Sequence, residues 1–179
     1  MPLPVAHGIL GASIVAASRP NLSLSRDWRP ILLGGALAVV PDLDILFLWA
    51  LGQDGEWHRS FSHSIVFALA AGLLVSMLRN SPQLKETLVF AAATASHGLL
   101  DTLTSKNAEG VKLLWPLAHR FKLGVFDYFD HPLDPNYTPL AEFFSEIFRV
   151  SLIELVIFTP VLLLALLINR SGSKALNEL

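Results

Sequence analysis

Ser96-His97-Gly98-Leu99-Leu100-Asp101 sets an imidazole and a carboxylate four residues apart at the end of an apolar run. Four residues is about one helical turn, so both side chains leave one face of a helix and can hold one metal ion between them. Ionisable groups in a run apolar enough to cross a membrane cost kcal/mol each, and they persist for function more often than for packing. Other such groups accompany this pair. His7 lies in the first apolar run, Asp42 and Asp44 in Pro41-Asp42-Leu43-Asp44, and His58 and His63 in His58-Arg59-Ser60-Phe61-Ser62-His63. The chain has no cysteine, which excludes disulfides, thiolate metal sites and a thiol nucleophile. Carboxylates and imidazoles without thiols suit Zn²⁺ first and Mn²⁺ second, in a site of one or two ions.

The elements that must position these residues follow from composition. Of 179 residues, 53% are hydrophobic and only 16% charged, with a mean hydropathy of +0.52. That is too apolar for an ordinary soluble domain and predicts an all-α, polytopic membrane helix bundle of about five transmembrane helices. The net charge of −2 gives no basic surface for nucleic acid. Apolar runs cover roughly 3–18, 30–51, 60–78, 86–104 and 150–168, each near the ~20 residues that cross a bilayer, the first being marginal. The N-terminus lacks a basic region and a small-residue cleavage pattern, so residues 2–18 are expected to stay as the first span. Small residues such as Gly8, Gly11, Gly34, Gly35, Gly72 and Ala91–93 let the helices approach closely.

One long interfacial loop, 105–149, completes a single domain spanning 1–179. Residues 110–116 and 120–129 alternate apolar and charged positions with aromatics, as a hairpin or flap would. Thr138-Pro139 reads as the cap and first position of a helix, and 140–149 as an amphipathic helix along the membrane surface. The last transmembrane helix, 150–168, is Leu-rich and lipid-facing, with Glu154 and Pro160 as its irregularities.

If the runs alternate up and down, His7 starts the first span and Asp42 and Asp44 end the second. His58 and His63 start the third, and His97 and Asp101 end the fourth. All seven then fall within the first turns below one membrane surface, with the 105–149 loop and Glu154 on the same side. Each alone has a plainer reading. His7 could be a hydrogen-bonded core histidine, one aspartate could cap a broken helix, His58-Arg59 could be a solvated pair, and His97 with Asp101 a single hydrogen bond. Their convergence favours a metal site. His119, Asp127, Asp130, His131 and Asp134 in the long loop read as solvated.

The succession His7-Gly8, Pro41-Asp42-Leu43-Asp44, His58 to Ser64, Ser96 to Thr104 and Gly110 to Pro116 resembles the YdjM family of LexA-regulated, membrane-bound metal-dependent hydrolases. The resemblance covers about residues 1–120 and implies a bacterial or archaeal inner-membrane enzyme, without a substrate. His97-x-x-x-Asp101-x-x-Thr104 is more distantly similar to zinc-dependent phospholipase C and the P1-type nucleases, which hold three zinc ions. In those enzymes another histidine ligand follows the threonine. Here Ser105-Lys106-Asn107 follows, which favours one or two ions.

The expected chemistry is hydrolysis by metal-activated water, as in a phospholipase C or phosphatase. Asp42 or Asp44, His63, His97 and Asp101 are the expected ligands, with His7 and His58 serving a second ion or its surroundings. The aspartate of the pair that does not bind metal is expected to act as general base or to orient an imidazole. Arg59 is expected to hold a substrate phosphate or carboxylate, and Trp115 to contact the substrate. A site at the interface suits a lipid or lipid-linked ester or phosphoester. A metal carrier or sensor would need a polar path to the far face, yet the far halves of the runs are almost wholly apolar; an intramembrane metallopeptidase would differ only in the scissile bond. A scaffold held by polar contacts needs fewer than seven such groups. Short connections away from the site carry Arg19, Arg26, Arg29, Arg79 and Lys85, against Arg59 with Asp54 and Glu56 beside it. The positive-inside rule then puts the site on the periplasmic or external face.

Overall fold

The computed structural model describes residues 2–19, 21–52, 57–80, 83–104, 109–125 and 139–176. It is all-α: α1 (Pro4–Ala17), α2 (Leu24–Leu37), α3 (Asp44–Leu51), α4 (Ile65–Leu78), α5 (Leu84–Thr104) and α6 (Leu140–Leu176). Short 3-10 turns, Val40–Leu43 and Phe61–His63, precede α3 and α4. α1 is the central helix, packed against α2, α5 and α6, while α4 lies on α5. An apolar core of Val15, Ala16, Leu22, Ile31, Leu37, Phe90, Ala93 and Ala165 fills the space between them.

The all-α expectation holds, and of the five expected spans one is met by length and apolarity alone. Among the described residues, only the Leu140–Asn169 part of α6 is long and apolar enough to cross a membrane by itself. The run 30–51 is not one helix, because Pro41 has no N–H and its ring clashes with the preceding turn, so α2 stops and the chain resumes at a bend of 48°. α1 and α4 are apolar but have 14 residues each, about 21 Å of helix against about 30 Å of hydrocarbon. α4 begins at Ile65 rather than 60 because Ser64 caps it, accepting a hydrogen bond from the Phe67 N–H. α5 has the length, 21 residues, but polar residues including His97 and Asp101 dilute its hydropathy.

The expected surface helix 140–149 followed by a separate span is also corrected. α6 runs unbroken through both, since nothing between Arg149 and Val150 breaks a helix and Arg149 pairs with Glu146 one turn back at 2.7 Å. Pro160 lies inside α6 without ending it. Much of α6 faces outward, with Val156 72% exposed and Leu163, Leu164 and Leu167 also exposed, an apolar surface that suits lipid.

Glu154 is the exception. Its carboxylate is fully buried and accepts the Leu3 N–H at 2.6 Å and the Ala6 N–H at 3.0 Å. Leu3, at the start of α1, has no side-chain acceptor, so α6 supplies the cap that the local sequence lacks. At the other end of α1, Asn169 donates to the Ala16 carbonyl at 2.9 Å. α6 thus fixes both ends of the helix that carries His7. On its other side α1 meets α2 backbone to backbone: a Cβ on Gly11 would stand 2.5 Å from the Gly34 carbonyl oxygen, and one on Gly35 would stand 2.9 Å from that of Gly8.

The segment 109–125 forms the expected hairpin only as a single antiparallel bridge, Val111 with Phe121. It is held over the ends of α4 and α5: Lys112 N–H donates to Arg59, the Leu113 carbonyl accepts from Ile65, and Leu123 N–H donates to Thr102 at 2.8 Å. Thr138, Asp54 and Glu56 lie outside the described residues, as do Ser105, Lys106 and Asn107.

Candidate metal centre

Pro41 does more than end α2. With the helix broken, the Asp42 N–H turns to Val39 and the Ala38 carbonyl accepts His97 Nδ1 instead, at 2.7 Å. The 3-10 turn then carries Asp42 towards α5, and Asp44 opens α3. Opposite, Arg59 adopts a left-handed backbone (φ 60°), and the turn Phe61–His63 lays His63 against α5 where Gly98 leaves room. His7, His63, His97 and Asp101 are wholly buried side chains.

The distances bring one set of groups together. His97 Nε2 lies 3.1 Å from His63 Nε2 and 3.2 Å from Asp42 Oδ1. His63 Nε2 is 3.5 Å from Asp42 Oδ1 and 3.7 Å from Asp101 Oδ2. His7 stacks on His97 with ring centroids 3.8 Å apart, and its Nε2 is 3.5 Å from Asp101 Oδ1. Arg59 Nε stands 3.4 Å from Asp101 Oδ2.

The hydrogen-bond network decides the tautomers. A carbonyl only accepts, so His97 carries its proton on Nδ1 and presents the Nε2 lone pair inward. Ser62 donates to Asp44 Oδ2 at 2.5 Å, so its oxygen accepts His63 Nδ1–H at 2.9 Å and His63 too points a bare Nε2 inward. His58 Nδ1 donates to Asp44 Oδ1 at 2.8 Å, leaving its Nε2 as an acceptor. At His63, His97 and Asp42 acceptors therefore face acceptors, while Asp101 has the Arg59 guanidinium on one side. Among the described residues His7 Nε2, His58 Nε2, Asp42 Oδ1 and both Asp101 oxygens are buried without a hydrogen-bond partner. Such an assembly repels itself unless a cation sits within it. Among the described residues, three overlapping groups could hold a metal ion: His7, Asp42 and His97; Asp42, His58 and His63; His63, His97 and Asp101.

A model of the YdjM inner membrane protein family matches residues 1–173, all of the elements that build this centre. The chain belongs to that family. A curated relative, the inner membrane protein YbcI of Escherichia coli (strain K12), is 33% identical over 94 residues, 49% of this chain and 54% of the relative. The chain thus spans about half the length of the curated relative it matches. No solved structure matches the chain significantly.

In this YdjM-family chain the sequence-predicted residues divide. His7, Asp42, His58, His63, His97 and Asp101 share one centre. Asp44 is not among those groups, and its place matches the orienting role expected for one aspartate of the pair. Its oxygens accept from His58 Nδ1 and Ser62 Oγ, contacts that orient the two imidazoles. Arg59 is buried beside Asp101. Trp115 packs edge-to-face on Phe61 at 4.8 Å, two residues from His63, at the rim of the centre. His119 is exposed against Phe121, away from the cluster. Asp127, Asp130, His131 and Asp134 lie outside the described residues. Glu154, expected on the site side, is occupied by the α1 N-terminus.

Sequence reasoning missed Ser62 and the Ala38 carbonyl. Ser62 carried a signal, a hydroxyl adjoining His63 inside the motif; the carbonyl carried only Pro41, which frees it.

Proposed function

We propose that this chain is a membrane-embedded, metal-dependent hydrolase that cleaves an ester or phosphoester bond of a lipid or lipid-linked substrate. The observation that carries this reading is the buried convergence of imidazole nitrogens and carboxylate oxygens, 3.1–3.7 Å apart, in which Asp42 Oδ1 and both Asp101 oxygens have no hydrogen-bond partner among the described residues. Nitrogen and oxygen ligands without thiolate suit zinc, with manganese second. Bound there, a divalent ion supplies Lewis acidity and a water activated near neutral pH. His63, His97, Asp42 and Asp101 would hold it, while Ser62 and Asp44 keep the imidazoles in the tautomer that binds. Arg59 beside Asp101 is the cation to pair with a substrate phosphate or carboxylate. An apolar core around Val15, Leu37 and Phe90 lies along α1 beyond His7, which supports hydrolysis at a closed site over passage of an ion.

The test is a panel of phospholipid and lipid-ester substrates on detergent-purified protein. Hydrolysis should cease with a chelator and return with zinc. Arg59→Ala should keep its metal and raise KM by roughly 10- to 150-fold, the size of a lost charge-assisted hydrogen bond. A full panel without turnover by zinc-loaded protein would refute the reading.

The same proposal places α1, the bent α2 to α3 pair, α4, α5 and α6 in the inner membrane as a multi-pass bundle. The basic connections at Arg19, Arg26, Arg29, Arg79 and Lys85 lie in the cytoplasm and the metal centre faces the periplasm. A C-terminal reporter that works only when exported should stay silent. Activity from it would reverse the orientation and make the substrate one of the inner leaflet.

A further inference from the structure

We infer that the centre is built for two divalent ions bridged by Asp42, an inference that rests on the metal reading above. Each pair of the three groups able to hold an ion among the described residues shares one residue, and in one pair that residue is a carboxylate, able to serve two ions: His7, Asp42 and His97 on one side, and Asp42, His58 and His63 on the other. Together they use each histidine of the cluster once. Asp42 Oδ1 faces both sides, 3.2 Å from His97 Nε2 and 3.5 Å from His63 Nε2, and it has no hydrogen-bond partner among the described residues.

One ion would leave donors idle. Zinc takes about four ligands, and His63, His97, Asp42 and Asp101 already provide four. His58 Nε2 would then remain as a buried acceptor with nothing to accept, and neither nitrogen of the buried His7 ring would have a hydrogen-bond partner among the described residues. His58 in particular is held in register by Asp44, whose other oxygen holds Ser62 and through it His63. A single carboxylate thus fixes the tautomers of both histidines on that side, the support that a metal-binding pair requires. On the other side His97 is fixed by the Ala38 carbonyl, and His7 is stacked on it.

Charge agrees with an anionic substrate. Asp42, Asp44 and Asp101 against Arg59 leave two negative charges, which one divalent ion cancels. A second ion leaves the centre positive by two, the complement of a phosphate dianion. The two positions also differ in depth: the His7 and His97 side chains of one are fully buried, whereas the His58 side chain of the other is 18% exposed. The inner ion should therefore leave last.

Titration of chelator-stripped protein with zinc alone, read by elemental analysis after desalting, tests this. The unaltered chain should bind two ions per chain, and a brief chelator treatment should remove one before the other. His58→Ala, at the half-open position, should bind one. His7→Phe, which keeps the stacked ring, should also bind one. Saturation of the unaltered chain at one ion would overturn the inference, as would two ions in His58→Ala. Failure of the unaltered chain to bind any zinc would instead remove the metal reading itself.

Discussion

Asp101→Ala should abolish lipid hydrolysis and lower bound zinc, with a loss well beyond the roughly 10- to 100-fold typical when an outer partner of a ligand is removed. Asp101 is fully buried, and among the described residues neither of its oxygens has a hydrogen-bond partner, although His7, His63 and Arg59 stand 3.4–3.7 Å away. Ser62→Ala is the comparison, because Ser62 touches His63 Nδ1 and Asp44 but no inward-facing atom; its loss should fall within that smaller range. Stability separates the metal role from a packing role. In chelator, a buried carboxylate without hydrogen-bond partners is a cost, so Asp101→Asn should melt at or above the temperature of the unaltered chain. In zinc the order should invert, since an ion that binds only the folded state raises its melting temperature by mass action and Asp101→Asn would lose most of that rise. Full activity in Asp101→Ala, or equal zinc-induced shifts in both chains, would rule out a ligand at this position.

These residues were legible because helical periodicity and membrane cost are one-dimensional. His97 and Asp101 need only a helix to meet, and an up-and-down reading of apolar runs was enough to bring His7, Asp42, His58 and His63 near them. The span lengths were not legible in the same way. A hydropathy reading sums residues and ignores backbone breaks, so 30–51 passed as one span although Pro41 divides it, and 60–78 absorbed a turn that Ser64 ends. α5 shows the converse, since the residues that build the centre are those that dilute its apolarity. The division of labour between Asp42 and Asp44 required three dimensions. It depends on which carboxylate meets Ser62 and His58, residues 14 to 18 positions away. Glu154 was further still from local reasoning, because its partners lie 148 and 151 positions back in the chain.

Gly98→Ala should damage the centre without touching a ligand. In an exposed helix interior this exchange favours folding by about 1 kcal/mol, because alanine loses less backbone freedom than glycine. At Gly98 the sign reverses. A Cβ there would stand 2.5 Å from the His63 carbonyl oxygen and 2.9 Å from Leu113 Cδ2. The leucine can turn aside, but the carbonyl belongs to a backbone held by the Ser60 to His63 turn and by the Leu113 carbonyl's bond to Ile65. Relief therefore means moving α5 away from His63, and α5 carries His97 and Asp101. Overpacking of this kind costs about 1–3 kcal/mol, and the same displacement should open the 3.1 Å approach of His63 Nε2 to His97 Nε2 and weaken zinc binding. Gly8→Ala is the matched control. It adjoins His7, yet its Cβ would meet only Val39 at 3.7 Å and the Gly35 carbonyl at 3.8 Å, ordinary contacts that leave the helix gain intact. Melting temperature and zinc affinity should both fall in Gly98→Ala and both hold in Gly8→Ala. If Gly98→Ala bound zinc as tightly as Gly8→Ala, the close approach of His63 to α5 would not be what sets the geometry of the centre.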